Sequence, residues 1–174
     1  IQQIQVVHIS SSRTPNLKAS NTLNRVNLIT VPILPSFSES RFSNNSLRVG
    51  CFNARSIGTS VKRSDISNFI LDHQIDFFFI VETWLKDVGD EARIADLTPS
   101  GYATRSFPRA SRGGGLAIIA RSHVLQNIAF RSSFSFEHNS FELFQATLSS
   151  NGGSVSFFCL YRPPPNGKNK LTDS

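Results

Sequence analysis

Ile75-Asp-Phe-Phe-Phe-Ile-Val-Glu-Thr-Trp-Leu85 sets five consecutive apolar residues, Phe77 to Val81, directly ahead of a carboxylate. A run this short and this apolar suits a strand covered on both faces, the kind found inside a parallel sheet. Upstream, Val61 to His73 places Ile66, Phe69, Ile70 and His73 at i, i+3, i+4 and i+7, which predicts an amphipathic helix with Thr59 or Ser60 as its cap. Further upstream, Leu47, Val49 and Cys51 alternate with Arg48, Gly50 and Phe52, the period-2 pattern of another strand. Strand, helix and strand form a right-handed crossover between parallel strands, so Asn53 and Glu82 leave the sheet on one rim. Whether the two strands are neighbours is open at this stage. The carboxyl-terminal mouth of such a sheet is where an α/β fold usually carries its site.

Downstream, the acidic stretch Asp87 to Asp96 reads as a loop with a helical turn. Short strands follow near Tyr102–Phe107, Leu116–Arg121, Ile128–Phe134, Phe141–Leu148 and Val155–Tyr161. Their spacing predicts a meander of hairpins, with Asn151-Gly-Gly153 as a turn. Residues 1–46 hold nine Ser and six Asn, and Pro32 and Pro35 interrupt the one apolar patch, Leu28 to Leu34. They read as a flexible leader, with a single folded domain over 47–174.

Phe supplies 15 of the aromatic residues against one Trp and two Tyr, and clusters in the strand-like runs, which favours a sheet-rich core. The net charge of +6 is shared evenly: residues 1–46 carry four Lys/Arg against one acid, and residues 47–174 carry fourteen against eleven. The folded part is therefore only mildly basic, compatible with a polyanionic partner without requiring one. Cys51 and Cys159 sit in apolar strands with no zinc-like spacing, which argues for core thiols. No apolar run is long enough to span a bilayer, so a soluble, intracellular protein without a membrane partner is expected. The chain lacks Met and stops soon after a Pro-rich turn, and is expected to be a piece of a longer product.

Three strand ends thus carry polar residues: Asn53, Glu82 and Tyr161. Taken singly, Glu82 is either an exposed strand terminator or a ligand for a hard divalent ion, which accepts one or two carboxylates and keeps its waters. Asn53 alone reads equally as a turn former. Arg105, Arg109 and Arg112 line a loop-rich segment and are candidates for DNA phosphate contacts, a solvated loop being the alternative. Gly113-Gly-Gly115 lacks the preceding strand and following helix of a phosphate cradle. His73 reads as a helix carboxyl-terminal residue and His123 and His138 as loop residues.

The phrases Phe52-Asn-Ala-Arg-Ser56, Glu82-Thr-Trp-Leu85, Arg112-Gly-Gly-Gly-Leu-Ala117 and Tyr161-Arg-Pro-Pro164 occur in this order. Together they resemble the endonuclease/exonuclease/phosphatase superfamily, and within it the apurinic-like endonuclease domain of non-LTR retrotransposons of the chicken-repeat and Jockey-like kind. The resemblance spans about Leu47 to Pro165. It implies an α/β sandwich of four layers, α-β-β-α, of which this chain holds mainly the first sheet and its helix. It also implies Mg²⁺ (or Mn²⁺) on Glu82, Asn53 close to metal and scissile phosphate, and Tyr161 on the phosphate. The activity implied is nicking of target DNA, with a reverse transcriptase domain in cis and a nuclear location. The family's Asp-x-Asn element and later Asp-His pair have no counterpart before Ser174, and neither Asp173 nor any of His8, His73, His123 and His138 takes their roles. A piece inactive alone is therefore expected, with an uncovered sheet face prone to self-association. The competing readings are a phosphoinositide phosphatase or related phosphodiesterase of the same fold, and a non-catalytic remnant or binding module.

Overall fold

The computed structural model describes residues 4–9, 26–32, 46–86, 88–109, 114–126, 128–133, 142–150 and 153–161. Strands β1 (Ile4–Ile9), β2 (Asn27–Pro32) and β3 (Ser46–Asn53) come first, followed by helix α1 (Ser60–Asp72) and strand β4 (Phe77–Val81). β3 and β4 are direct neighbours, parallel, with Val49 opposite Phe77 and Asn53 opposite Val81. α1 is the crossover between them. Thr59 caps it, its hydroxyl accepting from Lys62 N at 3.4 Å. At the other end His73 N–H reaches Phe69 O, and the His73 ring stacks on Phe69 at 4.0 Å.

The chain continues through α2 (Glu91–Leu97), β5 (Tyr102–Phe107), β6 (Leu116–Arg121) and the single turn α3 (Ser122–Leu125). β6 lies antiparallel to β4 and β5 antiparallel to β6, giving a five-stranded sheet of order β2-β3-β4-β6-β5. All five residues of β4 are buried, and they divide by parity. Phe78 and Ile80 face α1 and α2, packing with Ile66, Ile70 and Leu97. Phe77, Phe79 and Val81 face the other way. Gly50 is required opposite Phe78, because a Cβ there would lie 2.4 Å from the ring's Cδ2.

The second sheet is built from β7 (Ile128–Ser133), β8 (Glu142–Ser150) and β9 (Gly153–Tyr161), with β1 at its edge, in the order β1-β9-β8-β7. β8 and β9 form the hairpin predicted at Asn151, Ser150 pairing with Gly153. Its inner face meets the first sheet through rings: Phe77 on Phe157 at 5.4 Å, Phe79 on Phe144 at 6.4 Å and Phe107 on Phe144 at 4.5 Å. Cys51 and Cys159 meet across this interface as free thiols, and burial, reinforced by Cys159, pushes the Cys51 thiol well above its usual range. The described residues thus form an α/β sandwich with helices outside the first sheet.

Several expectations are corrected. The expected partial α/β sandwich is present, and beside the first sheet and its helices β1 and β7 to β9 form a second sheet. Residues 1–46 are not uniformly a leader: β1 pairs in parallel with β9, and β2 pairs antiparallel with β3. The physical reason is that β3 and β9 each present a row of backbone N–H and C=O groups that another strand can satisfy. The apolar patch beginning at Leu28 supplies one such strand. The inner sheet face, expected to be uncovered and prone to self-association, is covered among the described residues, where Phe77, Phe79 and Phe157 are at most 1% exposed. His123 lies in α3 rather than in a loop, and α2 replaces the expected single turn. No described helix is long and apolar enough to cross a membrane. His138, Arg112, Gly113 and Asp173 lie outside the described residues.

The rim opposite the strand ends is pinned by Asp76. Its carboxylate accepts from Arg48 N at 2.9 Å and Arg121 Nε at 2.8 Å, while its backbone bonds Arg48 O and Arg121 N, tying β3, β4 and β6 together. Arg121 also lies over the Tyr102 ring, whose hydroxyl pKa is raised chiefly by burial, with Arg121 opposing. The Asp76 carboxylate is 13% exposed, and its removal takes away the one acceptor group that Arg48 N and Arg121 Nε share. Asp76→Ala is expected to lower stability by about 2 kcal/mol, read from urea unfolding. A shift under a few tenths would show that the bracket is ornamental.

Candidate active site

Asn53 ends β3, Glu82 follows β4 and Tyr161 ends β9, so two sheets contribute to one point. Tyr161 Oη donates to Glu82 Oε1 at 2.5 Å, and Asn53 Nδ2 donates to the same oxygen at 2.9 Å. Asn53 Oδ1 in turn accepts from Arg55 N at 3.1 Å, which fixes the amide's orientation. Tyr161 is 3% exposed, whereas Asn53 and Glu82 are half-buried. The carboxylate is therefore held by neutral donors on one side of a rim that still faces outward.

The backbone around this point is strained. Four of the five described non-glycine residues with positive φ flank it: Arg55 (45°), Ser56 (83°), Glu82 (55°) and Trp84 (57°). Each such residue costs on the order of 1 kcal/mol and persists where its surroundings over-determine it. Here the surroundings are a three-stranded weave of loops. Ala54 N bonds Val81 O at 2.9 Å, Ser56 N bonds Glu82 O at 2.7 Å and Ile57 N bonds Thr83 O at 3.1 Å. From the other side Thr83 N bonds Gly115 O at 3.2 Å and Trp84 N bonds Gly114 O at 2.9 Å. Gly115 must be glycine: its φ is +80°, and a Cβ would approach Thr83 Oγ1 to 3.1 Å and Arg109 N to 3.6 Å. The glycine phrase thus braces the carboxylate loop instead of cradling phosphate.

Two cations hold the loop after Asn53 from beneath. Lys62 Nζ donates to Ala54 O at 3.0 Å and to Ser56 O at 3.1 Å. Arg63, 8% exposed, donates to Ile57 O and Gly58 O through Nη1 and pairs with Asp96 at 2.9 Å, locking α1 to α2. These residues were missed in the sequence, where a Lys-Arg pair in an amphipathic helix looks like a solvated face. Arg105 is exposed on the edge strand β5, and the Arg109 backbone lies beside Gly115 on the same rim as Glu82. Among the described residues no group of three or more His, Cys, Asp or Glu side chains is gathered in the manner of a closed metal site. One carboxylate held by an amide N–H and a phenol O–H fits a hard cation that keeps its waters, and would not fit zinc.

This is the rim of a two-sheet α/β sandwich with one carboxylate at its centre. An AP endonuclease from Leishmania major superposes on it with a TM-score of 0.50 at 14% identity, over 66% of this chain and 40% of that one. A 3′ phosphatase from Neisseria, solved with a product DNA hairpin, aligns at TM-score 0.41 and 20% identity over 62% and 39% of the two chains. An AP endonuclease from Archaeoglobus fulgidus aligns at 0.40 and 17% over 59% and 37%. The chain spans about 40% of the length of these structures, and it shares the fold of the Leishmania enzyme. No protein-family model and no curated protein sequence matches the chain.

Proposed function

We propose that this chain supplies the metal- and phosphate-holding part of a Mg²⁺-dependent DNA endonuclease, of the kind with which a non-LTR retrotransposon nicks target DNA for reverse transcription. The observation that carries the reading is the meeting of Asn53, Glu82 and Tyr161, from two sheets, on a single carboxylate oxygen. Glu82 would hold Mg²⁺, which supplies charge neutralisation for phosphate oxygens during displacement. Asn53 and Tyr161 hold the carboxylate in place by donating to it, and the second Nδ2 hydrogen of Asn53 would be the neutral donor offered to a phosphate oxygen. Arg105, Arg109 and Arg112 would contact duplex phosphates, which positions DNA without reading its sequence. A reverse transcriptase domain in the same polypeptide and a nuclear location complete the proposal.

The test is direct. Mn²⁺ titration followed by electron paramagnetic resonance is expected to reveal one site that Glu82→Gln removes, and labelled duplex DNA is expected to bind with an affinity that falls steeply with salt. A chain that binds neither Mn²⁺ nor DNA would overturn the reading.

A further inference from the structure

Trp84, the chain's one tryptophan, is 51% exposed two residues beyond Glu82. Its neighbours show that this is a built position. Thr83 and Leu85 are 1% and 4% exposed, so the ribbon alternates, sending Thr83 and Leu85 inward and Trp84 and Lys86 outward. Trp84 sits at φ 57°, a conformation that a bulky aromatic adopts only when held. What holds it is the bond from its N–H to Gly114 O at 2.9 Å, with Thr83 N–H on Gly115 O one residue earlier. The strained backbone thus presents an indole to solvent two residues from the Glu82 carboxylate. A core function is excluded by the exposure, and a mere loop tip is excluded by the bracing on both sides.

Resting on the endonuclease reading above, we infer that Trp84 is a stacking platform for an unpaired nucleobase adjoining the phosphate held at Glu82. The braced indole, outward and next to Glu82, is the juxtaposition that carries this. An aromatic face stacks any base, whatever its sequence, and the exposed Lys86 ammonium on the same side of the ribbon suits the neighbouring phosphate. An unpaired base is the occupant because a paired one offers only its edge, and a flat, fixed indole gains most from a free face. The platform therefore takes a base from a single strand or from a locally opened stretch of the duplex that the rim binds.

Since Trp84 is alone, intrinsic fluorescence reports on it without labels. The full chain, with Ca²⁺ in place of Mg²⁺, is titrated with a 12-nucleotide single strand, a matching duplex and an abasic strand carrying the same phosphates. Anisotropy of a dye on each oligonucleotide gives binding independently. Single-stranded DNA is expected to quench the emission on saturation, and Trp84→Ala is expected to weaken its binding about tenfold, with Trp84→Phe recovering most of the loss. The abasic strand should bind the native chain as weakly as the intact strand binds Trp84→Ala. Binding by anisotropy with unchanged emission, or an abasic strand that binds as well as the intact one, overturns the platform and leaves the endonuclease reading standing. No anisotropy change with any oligonucleotide overturns both.

Discussion

Glu82→Gln is expected to reduce Mg²⁺-dependent plasmid nicking by the protein carrying this chain about 10³-fold while leaving the fold intact. The magnitude follows from the worth of a metal at a developing phosphate charge, several kcal/mol, at 1.36 kcal/mol per tenfold. Glutamine keeps the size of the side chain and an oxygen able to accept from Tyr161 Oη and Asn53 Nδ2, which now converge on Oε1. It removes only the charge. Stability should stay within about 1 kcal/mol, since a neutral amide replaces one acceptor by another. The two readings separate cleanly: if nicking and Mn²⁺ binding vanish while the urea midpoint stays put, the residue acts through the ion. If stability collapses with activity, Glu82 is instead a structural acceptor for Tyr161. Undiminished nicking would remove Glu82 from the chemistry altogether.

How far such a site can be read ahead of the structure depends on which forces are local. Phe77 to Val81 is legible because five apolar residues in a row can be buried only by layers on both faces, and β4 has helices on one side and the second sheet on the other. The shared rim of Asn53 and Glu82 follows from crossover handedness, and the parallel register of β3 and β4 agrees with it. The arrival of Tyr161 is another matter. Nothing local sets the direction of β9 relative to β4, and what brings its end to Glu82 is sheet-on-sheet packing through Phe157 and Phe144. The edge strands β1 and β2 were illegible for the opposite reason. Their Ser- and Asn-rich surroundings look like leader, and only the unpaired edges of β3 and β9 give them a place. Lys62 and Arg63 could not be told from surface charge, because their partners are backbone carbonyls of a loop. Trp84 carried no signal either, since Leu85 one residue further on still enters the core.

The same packing makes Phe79 the position where a single substitution should do the most damage. Phe79 is fully buried at the centre of β4, edge-on to Phe77 at 4.7 Å on its own sheet and to Phe144 at 6.4 Å on the other. Truncation to alanine opens a cavity between the sheets, and buried Phe→Ala changes cost about 3 to 5 kcal/mol because the surroundings collapse only partly. Against a total of about 5 to 15 kcal/mol for a native domain, such a loss is expected to leave a large unfolded fraction at the bottom of that range. Phe79→Leu, which keeps most of the volume, should cost much less, about 1.5 kcal/mol or under. The site should register the difference too, since Tyr161 reaches Glu82 only while the two sheets stay in register at this layer. In the leucine variant, which folds, a loosened sheet contact is expected to weaken the Mn²⁺ site even though no residue near Glu82 has changed. Equal urea midpoints for the alanine and leucine variants would mean that the Phe79 ring does not hold the sheets together, and the route by which Tyr161 is positioned would have to lie with Phe77 and Phe157 instead.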